Sequence, residues 1–164
     1  MIKQIPRYHV KRKDKELTSQ ADMQAIIKRG QYTVIALCHN DEPYLVIMNY
    51  GYDQTKNALY FHAALEGQKL DFIEHNPNAC ATIIEDLGYK QGECSHSYRS
   101  VIIRGRIAII DNLDEKKHGL NVLIDHLEKA PDEAKKKFLK NDSTYDTVTV
   151  LRFDIEGITG KQGL

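Results

Sequence analysis

The order of apolar and polar positions divides the chain into strand-like and helix-like stretches. Residues 32–38 and 44–50 are rich in β-branched and aromatic side chains, and the polar residues 39–43 join them at a length that suggests a hairpin. A polar, glycine-containing turn at 51–57 leads into a strand at 58–62. Further strands are predicted at 79–84, at 101–110, where residues 101, 103, 107 and 109 are apolar, and at 147–155. Helical spacing appears four times. Ser19 is placed to cap a helix carrying Met23, Ile26 and Ile27, with Gly30 as its stop. Residues 66–75 put Leu70, Phe72 and Ile73 on a buried side and end before Pro77, because a residue preceding proline avoids the helical region. Residues 111–128 align Leu120, Leu123, Ile124 and Leu127, and 131–139 form a lysine-rich helix. Residues 85–99 are too irregular to assign.

About six strands, mostly joined by hairpins, with few helices define a mainly β chain. Strict strand–helix alternation is absent, so a doubly wound parallel sheet is not expected. The natural solution is a closed or partly closed antiparallel barrel with helices over its ends. A single domain over 1–164 is expected, with 1–17 as an N-terminal extension.

Charge and cysteine content narrow the function. Lysine plus arginine equals aspartate plus glutamate, 23 each, which argues against a dedicated nucleic-acid binder. The charged residues 7–16 fit a basic arm or a solvated extension, and the neutral total favours the extension. No stretch approaches a membrane span, and the N-terminus lacks the apolar core of a secretion signal, so a cytoplasmic protein is expected. Cys38 and Cys80 lie in apolar runs and are expected in the core; Cys94 lies in a polar loop as an exposed thiol. His75, His118 and His126 fall on predicted helix surfaces, and His39 and His96 in loops. No pair has a metal-ligand spacing, so no metal site is expected. No Gly-x-Gly-x-x-Gly sequence supports a Rossmann site.

The chemistry concentrates in residues 59–70. A short strand, a small-residue turn and a helix start carrying Gly67 and Lys69 suit an anionic phosphate, which free N–H groups and a lysine would meet. The bland alternative for Lys69 is an exposed helix lysine. His62, at the strand end, is either a structural hydrogen-bonder or a group able to pass a proton.

Five segments together resemble the FMN-binding split-barrel family, the pyridoxamine-phosphate-oxidase-like proteins, and within it the nitroimidazole-reductase branch. They are residues 11–16; Pro43-Tyr44-Leu45-Val46-Ile47-Met48-Asn49-Tyr50-Gly51-Tyr52; residues 60–69 with Asn76-Pro77; Ser97-Tyr98-Arg99-Ser100-Val101 with Gly105; and Ile158-Thr159-Gly160-Lys161. Ile47 departs from the branch, which often has proline there. The resemblance implies an antiparallel split β-barrel and a homodimer with two FMN sites at the interface. Val46, Met48, Asn49, Tyr50, Phe61, His62, Ala63, Ala64 and Lys69 would contact the cofactor from one subunit. Tyr98, Arg99 and Ser100 would come from the other, and Tyr50 and Tyr52 either wall the flavin or pack the dimer. His62 would lie beside the flavin as the candidate catalytic residue. The implied activity is FMN-dependent reduction of a small electron-poor substrate such as a nitroimidazole or quinone-like compound. The competing expectations are a non-enzymatic FMN-binding electron carrier and a haem-binding relative with His62 or His96 on the iron.

Overall fold

The computed structural model describes residues 10–164; Arg7, at the start of the charged stretch, lies outside the described residues. The end of the expected extension is tied down. After a 3-10 turn at Lys13–Lys15, β1 (Glu16–Leu17) pairs with the last strand, Leu17 opposite Gly160, and Leu17 is buried.

α1 (Gln20–Arg29) begins where expected, with the Ser19 hydroxyl accepting from Asp22 N at 3.2 Å. β2 (Tyr32–His39) and β3 (Glu42–Asn49) form a hairpin tighter than expected: only Asn40 and Asp41 intervene, with φ of 48° and 63°. A two-residue turn with both central residues at positive φ matches the twist of the strands, and Asn and Asp tolerate that region. β4 (Gly51–Asp53) and β5 (Ala58–Ala63) follow, then α2 (Gln68–His75).

Residues 85–99 are not irregular. They are the outer part of a long hairpin, β6 (Asn78–Lys90) and β7 (Ser95–Ile110), whose register shifts between Asp86 and Tyr89. His96 is therefore on a strand, and so is His39. α3 (Leu113–Leu127) and α4 (Pro131–Phe138) precede β8 (Thr149–Gly163), which runs well past the expected end at 155.

The sheet order is β3-β2-β6-β7-β8-β5-β4, antiparallel throughout. Its two edge strands, β3 and β4, are consecutive in the chain and joined by Tyr50 alone. The sheet must therefore curl until its edges meet at that residue, while the hydrogen-bonded path stays open. This is a split barrel, not a closed one.

Strand alternation decides what enters the barrel. Ile35, Leu37, Ala81, Ile83, Val101, Ile103, Ile107, Leu151 and Phe153 point inward, and Ile26 and Ile27 of α1 join the same core. A second cluster lies on the opposite face of β5 and β8, where α3 brings Leu120 and Leu123 against Ala58, Tyr60 and Val150. Gly119 permits that contact: a Cβ there would stand 2.6 Å from the Tyr60 ring. The same alternation corrects the cysteines. Cys38 is exposed and Cys80 half-buried, because their positions on β2 and β6 face away from the core. Cys94 is exposed, in the hairpin turn at φ 45°.

Among the described residues, the outer face of β3-β2-β6-β7 leaves several large apolar side chains exposed. Ile47, Val34, Thr82 and Ile102 lie side by side in register. Leu45 and Ile47 are 66% and 67% exposed, and Ile84 59%.

Candidate functional site

β5 and α2 place the 59–70 segment. Phe61 and Ala63 point into the core, while His62 projects outward and is exposed. Ala64 follows in the exposed turn. Gly67 has φ 139°, a conformation that L side chains rarely adopt, and a Cβ there would meet open space. No side chain caps α2; its first backbone bond runs from Leu70 N to Gly67 O at 2.8 Å. With the Leu70 and Asp71 N–H groups both turned to Gly67 O, the Gln68 and Lys69 N–H groups of this first turn are the ones available to an anion among the described residues. Lys69 is half-buried beside them. Lysine ion pairs among the described residues belong to Lys13, Lys56, Lys90, Lys117 and Lys135, so the Lys69 charge is uncommitted.

β3 contributes less surface than expected. Val46 and Met48 face the core, half-buried and buried. Asn49 is exposed, and its amide donates to Gln31 O at 3.0 Å. Tyr50 is fully buried and its hydroxyl donates to Ile27 O at 2.6 Å; burial raises its pKa. The rings of Tyr50 and Phe61 are interior, so in this chain these two residues can meet a ligand through their backbone alone.

Tyr98, Arg99 and Ser100 lie half-buried near the start of β7. Among the described residues, the Arg99 Nε is buried with no hydrogen-bond partner. These residues do not approach His62 within one chain. His62 aligns with Val150, which aligns with Ile110. Arg99 and Ile110 are eleven strand residues apart, roughly 35 Å along an extended strand.

A charged network escaped sequence reasoning. The Tyr60 hydroxyl donates to Glu115, which also accepts from Lys56 at 2.8 Å and Arg152 at 3.2 Å. His118 Nε2 lies 2.7 Å from Asp53. Burial, then the Glu115 contact, pushes the Tyr60 phenol up. Burial opposes ionisation of Asp53, but the Lys56 backbone N–H and His118 outweigh it and hold the carboxyl below its usual range. These residues line or adjoin a cleft of about 550 Å³ between the β4–β5 turn and α3, bounded by Tyr52, Asp53, Lys56, His118, Val122 and His126. His118 is half-buried, and His126 turns inward to Gly30 O at 2.6 Å and stacks near Tyr50. The partners are distant in sequence, so no local pattern announces them. The described residues hold no cluster of three or more histidine, cysteine or acidic side chains able to bind a metal, and no helix is long and apolar enough to cross a membrane.

Comparison with known proteins agrees with this architecture. The family model for pyridoxamine 5'-phosphate oxidase matches residues 19–162. The chain belongs to that family. A crystal structure of a candidate 5-nitroimidazole antibiotic resistance protein from Bacteroides thetaiotaomicron VPI-5482 is similar at 28% identity and TM-score 0.73, covering 90% of this chain and 86% of that one. The flavocytochrome Anf3 of Azotobacter vinelandii shares the fold at TM-score 0.77 and 18% identity, over 97% of this chain and 74% of that one. An FAD- and haem-binding protein of Mycobacterium smegmatis does so at 0.76 and 17%, over 91% and 73%. An uncharacterized protein of Rhizobium meliloti (strain 1021) is 30% identical over 88 residues, 54% of this chain. The match spans about half, 52%, of that curated relative's length.

Proposed function

We propose that the chain is an FMN-dependent oxidoreductase that reduces a small electron-poor acceptor, a nitroimidazole or quinone-like compound, and works as a homodimer. The observation that carries the reading is the start of α2, without a side-chain cap, and the uncommitted Lys69 beside it, one short turn after His62. The residues fit a flavin mononucleotide. The α2 N–H groups and Lys69 would take the phosphate. Ala63 and Ala64 leave the turn narrow enough for backbone to approach the ring. FMN would supply the electron chemistry; the chain binds and orients it and excludes water. His62, exposed at the end of β5, would hold a proton at its imidazole for the acceptor. Similarity to a nitroimidazole resistance protein supports the acceptor class.

Distance supports the proposed dimer. The Tyr98–Ser100 segment and His62 can share one site when the segment comes from a second subunit, and the open Ile47–Ile102 face offers the surface for it. Replacing Ile47 by Asp should halve the mass seen in sedimentation at micromolar protein and weaken flavin binding together with it. An Ile47→Asp protein that stays dimeric would remove this face from the interface.

Lys69→Ala tests the phosphate site. A charge-assisted contact is worth about 1.5–3 kcal/mol, so FMN affinity should fall roughly ten- to hundredfold while riboflavin, which lacks the phosphate, binds nearly unchanged. Equal weakening of both ligands would place Lys69 elsewhere. The visible spectrum of protein purified without added cofactor separates this reading from its rival: flavin bands support it, and a Soret band would favour haem.

A further inference from the structure

His39 and His75, far apart in sequence, are brought together at one end of the barrel. Their ring centroids are 4.4 Å apart and tilted by 37°. His39 ends β2 and His75 ends α2; the first is half-buried and the second exposed.

Neighbouring hydrogen bonds define what each ring offers. His75 Nδ1 lies 2.7 Å from the carbonyl oxygen of Asp71. A carbonyl accepts, so Nδ1 carries the proton and Nε2 keeps its lone pair. Metal-binding histidines are commonly held this way, with the far ring nitrogen donating to a carbonyl. His39 Nε2 lies 3.0 Å from the amide nitrogen of Asn40. The amide donates, so this Nε2 also bears a lone pair.

The frame around the pair is firm. The Asn76 amide donates to Cys38 O at 2.9 Å, tying the end of α2 to the end of β2. The Phe72 ring meets the His39 ring edge-on at 5.9 Å. Glu42 is the ladder partner of His39, so its exposed carboxylate is on the same side of the sheet.

We propose that His39 and His75 bind a late first-row divalent cation, with Cu²⁺ the tightest. Two nitrogens at about 2.0–2.1 Å from one ion stand about 3 Å apart, a separation within reach of rings whose centres are 4.4 Å apart. Imidazole suits zinc, nickel and copper, and affinity at a given site peaks at Cu²⁺. Water would complete the coordination. The ion would displace the Asn40 amide from His39 and bridge β2 to α2, the helix whose first turn carries Lys69. Sequence spacing hid the site, because its ligands come from two elements that meet through tertiary packing.

The test uses the full chain without a polyhistidine tag. One equivalent of Cu²⁺ should bind with the electron paramagnetic resonance signature of two imidazole nitrogens. It should also raise the melting temperature, as a ligand of the native state does. In the His39→Gln/His75→Gln double variant, calorimetry should show at least tenfold weaker binding, and the two-nitrogen signature and the thermal shift should disappear. An affinity or signature unchanged in the double variant overturns the proposal and moves the copper to a pair such as His96–Asp86 or His118–Asp53. A second measurement needs no variant. Substoichiometric Ni²⁺ should broaden the His39 and His75 imidazole resonances of the wild-type protein first; earlier broadening of His96 or His118 would equally refute the site.

Discussion

Gly105→Ala should destabilise the fold by about 3 kcal/mol or more. A Cβ at Gly105 would stand 1.9 Å from the carbonyl oxygen of Asp154 and 2.8 Å from a ring carbon of Phe153. The first obstacle is backbone on the neighbouring strand, which cannot rotate aside as a side chain does. The site is also where β7 and β8 change register: Arg104 pairs with Gly157, whereas Gly105 pairs with Ile155. The β7–β8 ladder lies in the middle of the sheet, so moving it disturbs both flanks. Overpacking in a well-packed interior costs about 1–3 kcal/mol, and a backbone collision belongs at or beyond the top of that range. For a domain of this size, 3 kcal/mol lowers the melting temperature by roughly 6–12 °C. Gly157→Ala is the matched control, since a Cβ there meets nothing within 4 Å. Circular dichroism melts of the two variants decide the matter. Equal melting temperatures would mean that the sheet opens at Gly105 without cost.

Gly105 illustrates how much of this fold the sequence discloses. Hydrophobic period located α1, the β2–β3 pair, α2 and α3, because each buries one face more than the other, and a short apolar run located β5, which is buried on both faces. Strand ends were less legible. β8 runs on through Gly157, Gly160 and Gly163, and β6 through Gly88, where glycine interrupts the strand pattern although the strand continues. Period two also has two phases. An apolar run does not say which phase faces the core, and so Cys38 and Cys80 point out where their runs suggest the interior. The phosphate-type helix start at Gly67–Lys69 was legible because its residues are contiguous. The Tyr60–Glu115–Arg152 contacts and the His39–His75 pair were not, because each joins residues from separate elements. Tyr50 was legible as a strand aromatic, but its place in the core depends on the curl that brings β3 and β4 together and sets its hydroxyl on Ile27 O.

His62→Ala should retain the cofactor and the dimer yet slow reduction of an electron-poor acceptor by about a hundred- to ten-thousandfold, the usual worth of general acid help. The expectation rests on where β5 puts the side chain. Phe61 and Ala63, its neighbours, are buried, so removing an outward imidazole between them disturbs no packing. His62 is a step before the turn that leads to the α2 start, where the phosphate is proposed to bind. An imidazole there can donate to an acceptor that gains electrons and needs a proton. Turnover alone would mix this step with the unidentified electron donor. Stopped-flow oxidation of the pre-reduced holoprotein by a nitroaromatic or quinone acceptor isolates it. His62→Gln is the companion variant: it keeps a hydrogen-bond donor of similar reach without the ability to pass a proton at neutral pH. Full loss in both variants points to proton transfer, and rescue by glutamine points to binding of the acceptor. If wild type and His62→Ala reoxidise at the same rate, His62 is structural. If wild-type holoprotein reacts no faster than free FMN, the chain carries electrons or flavin and does not catalyse this reduction.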